Sequence, residues 1–302
     1  MVKMKKNIFS VLICLFFLPT IVSAQMISQT GVGVGAGLSE QRNELKYPVV
    51  LVHGLAKSDR EEELVNSWGR IPQVLRENGV KVYFGNTDGW GGIETNAELL
   101  KITIDSILEN TEYEKVNIIA HSKGGIDSRY FIWRYNYGDR VASLTTISTP
   151  HHGAELADLV FSSRIIHIRS VRERLLDIAR IFGDGNTDVY GLNQDLTTEN
   201  MRDFNANVAM DKRVYYQSIY SVMDDPLDDP KYTISNTRIK NMSGDNDGLV
   251  SALSANWGSN IRRLQVSLSH GQIIDQGSIR FPGVEIPDIY LEIIAELAQK
   301  GF

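Results

Sequence analysis

Residues 115–135, KVNIIAHSKGGIDSRYFIWRY, constrain this chain more tightly than any other stretch. KVNIIA suits a strand buried on both faces, and residues 125–135 carry a helical pattern. Between them stands the short turn Ala120-His121-Ser122-Lys123-Gly124. A strand that turns so sharply into a helix forces its central residue, Ser122, into strained backbone and admits only small neighbours. The result is a hydroxyl held at the positive end of a helix, where developing negative charge is stabilised. Ala120 stands where glycine is usual, a sterically mild departure from G-x-S-x-G. An ordinary strand–turn–helix with a surface serine fits the same short pattern. The position directly after an apolar strand favours a nucleophile.

The rest of the chain repeats this alternation. Residues 47–53 (YPVVLVH) read as a buried strand, 71–77 as helix, 80–84 as strand, 93–108 as helix and 141–148 (VASLTTIS) as strand. Later strands are expected at 213–222, 237–242 and 264–268, and a closing amphipathic helix at 286–299. This βαβα order predicts an α/β fold with a mostly parallel central sheet flanked by helices. Residues 153–205 interrupt it. Within them Val171, Leu175, Ile178 and Phe182 share one helical face, and residues 164–180 hold five arginines against Glu173 and Asp177. A basic amphipathic helix of this kind suits a lipid–water interface, although an ordinary packed helix has the same periodicity.

The N-terminus reads as an export signal. Lys3, Lys5 and Lys6 precede a 15-residue apolar run at 8–22, and Val22-Ser23-Ala24 predicts cleavage before Gln25. The run is too short to span a bilayer as a helix. Residues 1–24 are thus expected as a signal peptide, and 25–46, with glycines at 31, 33, 35 and 37, as a flexible arm. The chain's one cysteine, Cys14, lies inside the signal. Its removal leaves 278 residues without cysteine, so neither a disulfide nor a cysteine-based zinc site is available. The 28 basic and 37 acidic residues that remain give a formal charge of −9, which argues against a nucleic-acid partner. The expectation is a secreted chain with one domain at residues 47–302.

A nucleophilic serine needs oxyanion donors, a base and an acid. Acyl transfer calls for two backbone N–H groups aimed at the carbonyl oxygen of the tetrahedral intermediate. Lys123, directly after the nucleophile, supplies one, and the turn Val52-His53-Gly54-Leu55 supplies the Leu55 N–H as the other. As the donors are backbone groups, the Lys123 side chain is not itself expected to matter, and His53 is expected to hold its loop. Of six histidines only His270 falls in the last third, after LQVSLS, where the base of a Ser…Asp…His order belongs. The turn NMSGDNDGLVS offers two acids, Asp247 preferred and Asp245 second. The acid would hold the His270 tautomer while His270 takes the Ser122 proton.

With these residues in view, the chain resembles the bacterial secreted triacylglycerol lipases of Pseudomonas and Burkholderia type and their Gram-positive relatives. The likeness runs over residues 47–276 and is carried by YPVVLVHGL, VNIIAHSKGGIDSRY, VASLTTISTPHHGAELADLV, LTTENMRDFN and GDNDGLVS. It implies an α/β-hydrolase fold with a helical lid at residues 153–205, and cleavage of acylglycerol esters through an acyl-enzyme. By this resemblance the nucleophile, acid and base fall on Ser122, Asp247 and His270, which decides between the two acids, and the oxyanion donors on Leu55 and Lys123. The implied partners are a lipid or ester substrate at a lipid–water interface and a secretion or folding chaperone, with the chain itself a monomer. The chemistry requires no cofactor. A structural calcium near the histidine loop is the one metal the resemblance brings in, and no metal ligand is assigned from the sequence. The acid expected two residues after the histidine is Gln272 here, a weaker ligand for a hard cation. Asp225 could supply the other carboxylate, although Asp225, Asp228 and Asp229 equally suit a solvated acidic loop. An acyltransferase or amidase on the same scaffold, and a non-catalytic lipid-binding module, are the alternative readings.

Overall fold

The structure, a computed structural model, describes residues 44–55, 67–161, 195–277 and 283–302, all within one compact unit, Arg42–Phe302. Its strands are β1 (Val49–Val52), β2 (Val82–Phe84), β3 (Val116–His121), β4 (Val141–Ile147), β5 (Tyr215–Tyr220) and β6 (Ile261–Arg263). They lie side by side in the order β2-β1-β3-β4-β5-β6, and every neighbouring pair is parallel. Parallel neighbours need crossovers, supplied by α1 (Ile71–Glu77), α2 (Ile93–Glu109) and α3 (Lys123–Tyr135) between the first four strands. Further along come α4 (Glu155–Phe161), α5 (Thr198–Asn207), α6 (Thr233–Ser243), α7 (Ala252–Ala255) and the closing α8 (Ile286–Gln299).

Helices on both faces explain why the strands read as continuous apolar runs. Val49 and Leu51 of β1 pack with Ile71 and Leu75 of α1 and Tyr290 and Ile293 of α8. Val50 and Val52 point the other way, to Leu100 and Ile104 of α2 and Phe131 of α3. Helix α8 buries Ile286, Tyr290, Ile293 and Leu297, one stripe at helical spacing, and carries proline in its first turn, where no hydrogen bond is lost.

The order of the strands fixes where a site can form. The chain lays β2 on one side of β1 and then returns to lay β3 on the other. At such a reversal the flanking helices leave in opposite directions, and a crevice opens beyond the C-terminal ends of the two strands. Gly54 follows β1 and Ser122 follows β3, so both face that crevice.

Two expected strands are corrected. Residues 237–242 are not a strand but the second half of α6, because Tyr232, Asn236 and Ile239 are buried three and four residues apart while Met242 is exposed. Residues 264–268 are not a strand either; the last strand is β6, three residues earlier. Leu264, Val266 and Leu268 do turn alternately to the core. Beyond Leu264, whose N–H donates to Tyr220 O at 2.8 Å, the neighbouring backbone ladder runs out, and the Ser221 hydroxyl takes over by accepting from the Leu268 N–H at 3.0 Å. Alternation reports an extended segment with one buried side, and a strand also needs a neighbour.

The expected lid is described only at its ends, by α4 and α5. Its amphipathic stretch, residues 164–182, lies outside the described residues, as do the expected signal peptide and most of the expected arm. Lys46, at the end of that arm, donates its N–H to Phe302 O at 2.7 Å.

Candidate active site

Ser122 occupies the position before α3 with φ 54° and ψ −131°, a combination that costs a non-glycine residue about 1–3 kcal/mol. Its surroundings leave no room for larger neighbours. A methyl carbon added at Gly54 would stand 2.7 Å from Ser122 Cβ, and one at Gly124 would stand 2.3 Å from His53 O. The two glycines therefore let the β1 exit and the elbow close on each other. The Ser122 N–H donates to Ile147 O at 2.9 Å, which anchors the elbow to the end of β4.

His270 stands between Ser122 and Asp247. Its Nε2 lies 3.0 Å from Ser122 Oγ, and its Nδ1 lies 2.8 Å from Asp247 Oδ2. The Nδ1–H donates to the carboxylate, which leaves Nε2 free to accept the serine proton. The Asp247 side chain is 2% exposed and that of His270 6%. The other carboxylate oxygen accepts N–H bonds from Leu249 at 3.0 Å and Val250 at 2.8 Å, so this buried charge is fully engaged. Asp245 goes elsewhere: it is exposed and pairs with Arg263 at 3.0 Å. Of the two acids, Asp247 is the one brought to His270. It stands in a turn after helix α6, whose second half covers the strand expected at 237–242.

The segments that carry the two expected donors, the β1 exit and the start of α3, lie against each other at Gly54 and Gly124. Lys123 is the first residue of α3, where backbone N–H groups lack partners within the helix. Leu55 follows Gly54 and is half-buried. His53 holds this turn: its Nδ1–H donates to Gly54 O at 2.7 Å, and its Nε2 lies 3.0 Å from Thr87 O and 3.1 Å from Thr87 Oγ1. Its expected structural part is what the geometry displays.

A family model described as Palmitoyl protein thioesterase matches residues 48–215, more than half of the chain. The chain belongs to that family. This palmitoyl protein thioesterase relative is also 42% identical over 118 residues to a triacylglycerol lipase of Pseudarthrobacter phenanthrenivorans, which covers 38% of this chain and 36% of the lipase. A triacylglycerol lipase of Burkholderia plantarii matches with the same identity and length, 38% of this chain and 32% of its own. The chain thus spans about a third of the length of these curated relatives. Among solved structures, the mature Bacillus licheniformis lipase BlEst2 superposes with a TM-score of 0.64 at 23% identity, over 85% of this chain and 96% of that one. The fold is that of the α/β-hydrolases.

In this thioesterase-family chain the residues matched to a calcium site are otherwise occupied. Gln272 Oε1 accepts the Ser269 N–H at 2.8 Å, and its Nε2 donates to Asp228 O at 3.2 Å. Asp225 Oδ1 accepts the Leu227 N–H at 2.8 Å. The hydroxyls of Ser267 and Ser269 donate to Asp228 and Asp229, both at 2.6 Å. Among the described residues no three metal-binding side chains stand together. Direct hydrogen bonds join the acidic loop to the histidine loop, and Gln272 brings no charge to that junction.

Three groups of residues were missed from the sequence. His121 donates Nε2–H to His270 O at 3.1 Å and packs its ring 4.5 Å from that of His270. Asn236 and Asn246 exchange bonds, with Asn236 Nδ2 donating to Asn246 Oδ1 at 2.9 Å and Asn246 Nδ2 to Asn236 O at 3.1 Å, under the turn that carries Asp247. Lys123, Asp127 and Asn96 form a buried polar cluster behind the elbow. The adjacency of His121 to Ser122 and the i, i+4 spacing of Lys123 and Asp127 were visible in the sequence. The asparagines gave no local signal.

Proposed function

We propose that this chain is a secreted serine hydrolase of carboxylic esters, acylglycerols foremost, working through an acyl-enzyme. The observation that carries the reading is His270, with Nε2 3.0 Å from Ser122 Oγ and Nδ1 2.8 Å from the buried Asp247. Ser122 Oγ attacks the ester carbonyl carbon while its proton passes to His270 Nε2. Asp247 stabilises the imidazolium, and the N–H groups of Leu55 and Lys123 bind the oxyanion. Collapse of the tetrahedral intermediate breaks the carbon–oxygen bond, and His270 returns the proton to the leaving alcohol. Water then attacks the acyl-Ser122 ester with His270 as base, releasing the carboxylic acid and restoring the serine. No step needs a metal.

The relatives named triacylglycerol lipase support acylglycerols as substrates, and the N-terminal signal pattern supports export with cleavage before Gln25. Residues 153–205 are read as a lid that opens at a lipid–water interface, supported by the basic amphipathic stretch at 164–182. The chain is read as a monomer. The family match favours a second substrate class, acyl thioesters, which the same steps would cleave with a thiol as leaving group.

The test is hydrolysis of p-nitrophenyl butyrate, tributyrin emulsion and an S-acyl thioester by the wild-type chain and by Ser122→Ala. Ester turnover is expected to fall at least about 10⁴-fold in the variant with the fold intact. Comparable turnover in both would refute the reading. Cleavage of the thioester in preference to both esters would move the substrate to the second class.

A further inference from the structure

The Lys123 side chain has no expected part in the chemistry, yet it is 1% exposed, as is Asp127. Two general effects weigh against an ammonium there. Lys123 opens α3, where the helix field disfavours positive charge. A buried ion pair is also commonly no more stabilising than apolar residues of the same volume.

The bonds of this pair lead on to the other donor. Lys123 Nζ donates to both oxygens of Asp127, at 2.6 and 2.9 Å. Asp127 Oδ2 also accepts from Asn96 Nδ2 at 2.8 Å. Asn96 in turn grips Asp88 from both sides, accepting its N–H at 2.9 Å and donating to its carbonyl at 3.0 Å. The preceding residue, Thr87, contacts His53 Nε2, and His53 Nδ1–H donates to Gly54 O at 2.7 Å. That carbonyl belongs to the peptide plane whose N–H is the Leu55 donor. Because the plane is rigid, fixing the C=O fixes the direction of the N–H. Burial pushes the Asp127 carboxyl above its ordinary range, and Lys123, Asn96 and His53 oppose that shift.

We infer that the buried chain from Lys123 through Asp127, Asn96 and His53 sets the separation and aim of the Lys123 and Leu55 N–H groups, so that the Lys123 side chain and Asp127 are positioning residues for the oxyanion. The inference rests on the ester-hydrolase reading. It extends the pair's effect to any variant that cuts the chain, including one that leaves the ion pair whole.

Two variants test it: Asn96→Ala, which cuts the chain without stranding a charge, and Lys123→Met/Asp127→Leu, which removes the pair for apolar residues. Each is measured as full-length folded protein for melting temperature, for kcat and KM on p-nitrophenyl butyrate, and for inhibition by butylboronic acid, whose tetrahedral adduct on Ser122 occupies the oxyanion position. Both variants are expected to lose about 10- to 100-fold in kcat and to bind the boronate weaker by a similar factor, with KM within about twofold. Should the double variant fail to fold, Asn96→Ala decides alone. Folded variants that keep kcat and boronate affinity within about twofold, whatever their melting temperatures, overturn the inference while the ester-hydrolase reading stands. A wild-type chain that neither turns over esters nor binds the boronate overturns both.

Discussion

Asp247 divides its two carboxylate oxygens between His270 and the backbone of its own turn. Asp247→Asn keeps the volume and much of the turn, but its amide lacks the charge that steadies an imidazolium. The expected outcome is a loss of about 10⁴-fold in kcat on p-nitrophenyl butyrate with KM little changed, measured on folded protein. A loss below tenfold would remove Asp247 from the site. At this scale Ser122, Asp247 and His270 were legible because each stands in a short segment with its own signature. The residues that hold them were not. His121 meets His270 across 149 positions, and Asn96 meets Asp127 across 31. Such contacts follow from the packing of elements, and one residue's neighbours in sequence carry no trace of them.

Helix α3, the loop after β4 and α5 meet at a buried cation apart from Ser122, Asp247 and His270. Arg129 of α3 donates to His151 Nδ1 at 3.1 Å and to Asn205 Oδ1 at 2.8 Å, and lies 4.0 Å from the centre of the Trp257 ring. Burial lowers Arg129 to about 9, and burial together with the Arg129 and His152 charges holds His151 well below its ordinary range. His151 is therefore neutral in the fold, with Nδ1 accepting from Arg129 and Nε2–H donating to the Thr146 hydroxyl at 3.0 Å. Below about pH 6.5 the unfolded chain binds a proton at this residue that the folded chain refuses, so stability falls as pH falls, until the folded pKa is reached. Relative to His151→Gln, wild-type unfolding free energy in urea should drop by up to about 1.4 kcal/mol per pH unit as the pH falls below about 6.5. Parallel curves for the two proteins would contradict the neutral assignment. Elements also differ in how plainly the sequence announced them. β3 and α8 carry long, regular apolar patterns and stand where expected. Residues 237–242 offered six positions of mixed character, and the helix emerged from contacts of Tyr232 and Asn236 that lie before that window.

Across the whole molecule, a reversal in strand order brings the ends of β1 and β3 together, and with them Gly54 and Ser122. The βαβα alternation made a parallel sheet legible, but the neighbour order of its strands depends on which helix covers which face. The site follows from that order. His270 reaches it from beyond the last strand, on a loop tied by Ser267, Ser269 and Gln272 to the acidic loop after β5. On the proposed reading, this meeting of β1 and β3 ends makes Ser122 a nucleophile. The most direct measurement is intact and peptide mass spectrometry after exposure to a fluorophosphonate, alongside residual activity on p-nitrophenyl butyrate. One adduct per chain is expected, on Ser122, with activity lost in proportion to labelling. An adduct on another residue, or full labelling of Ser122 with activity retained, would contradict it.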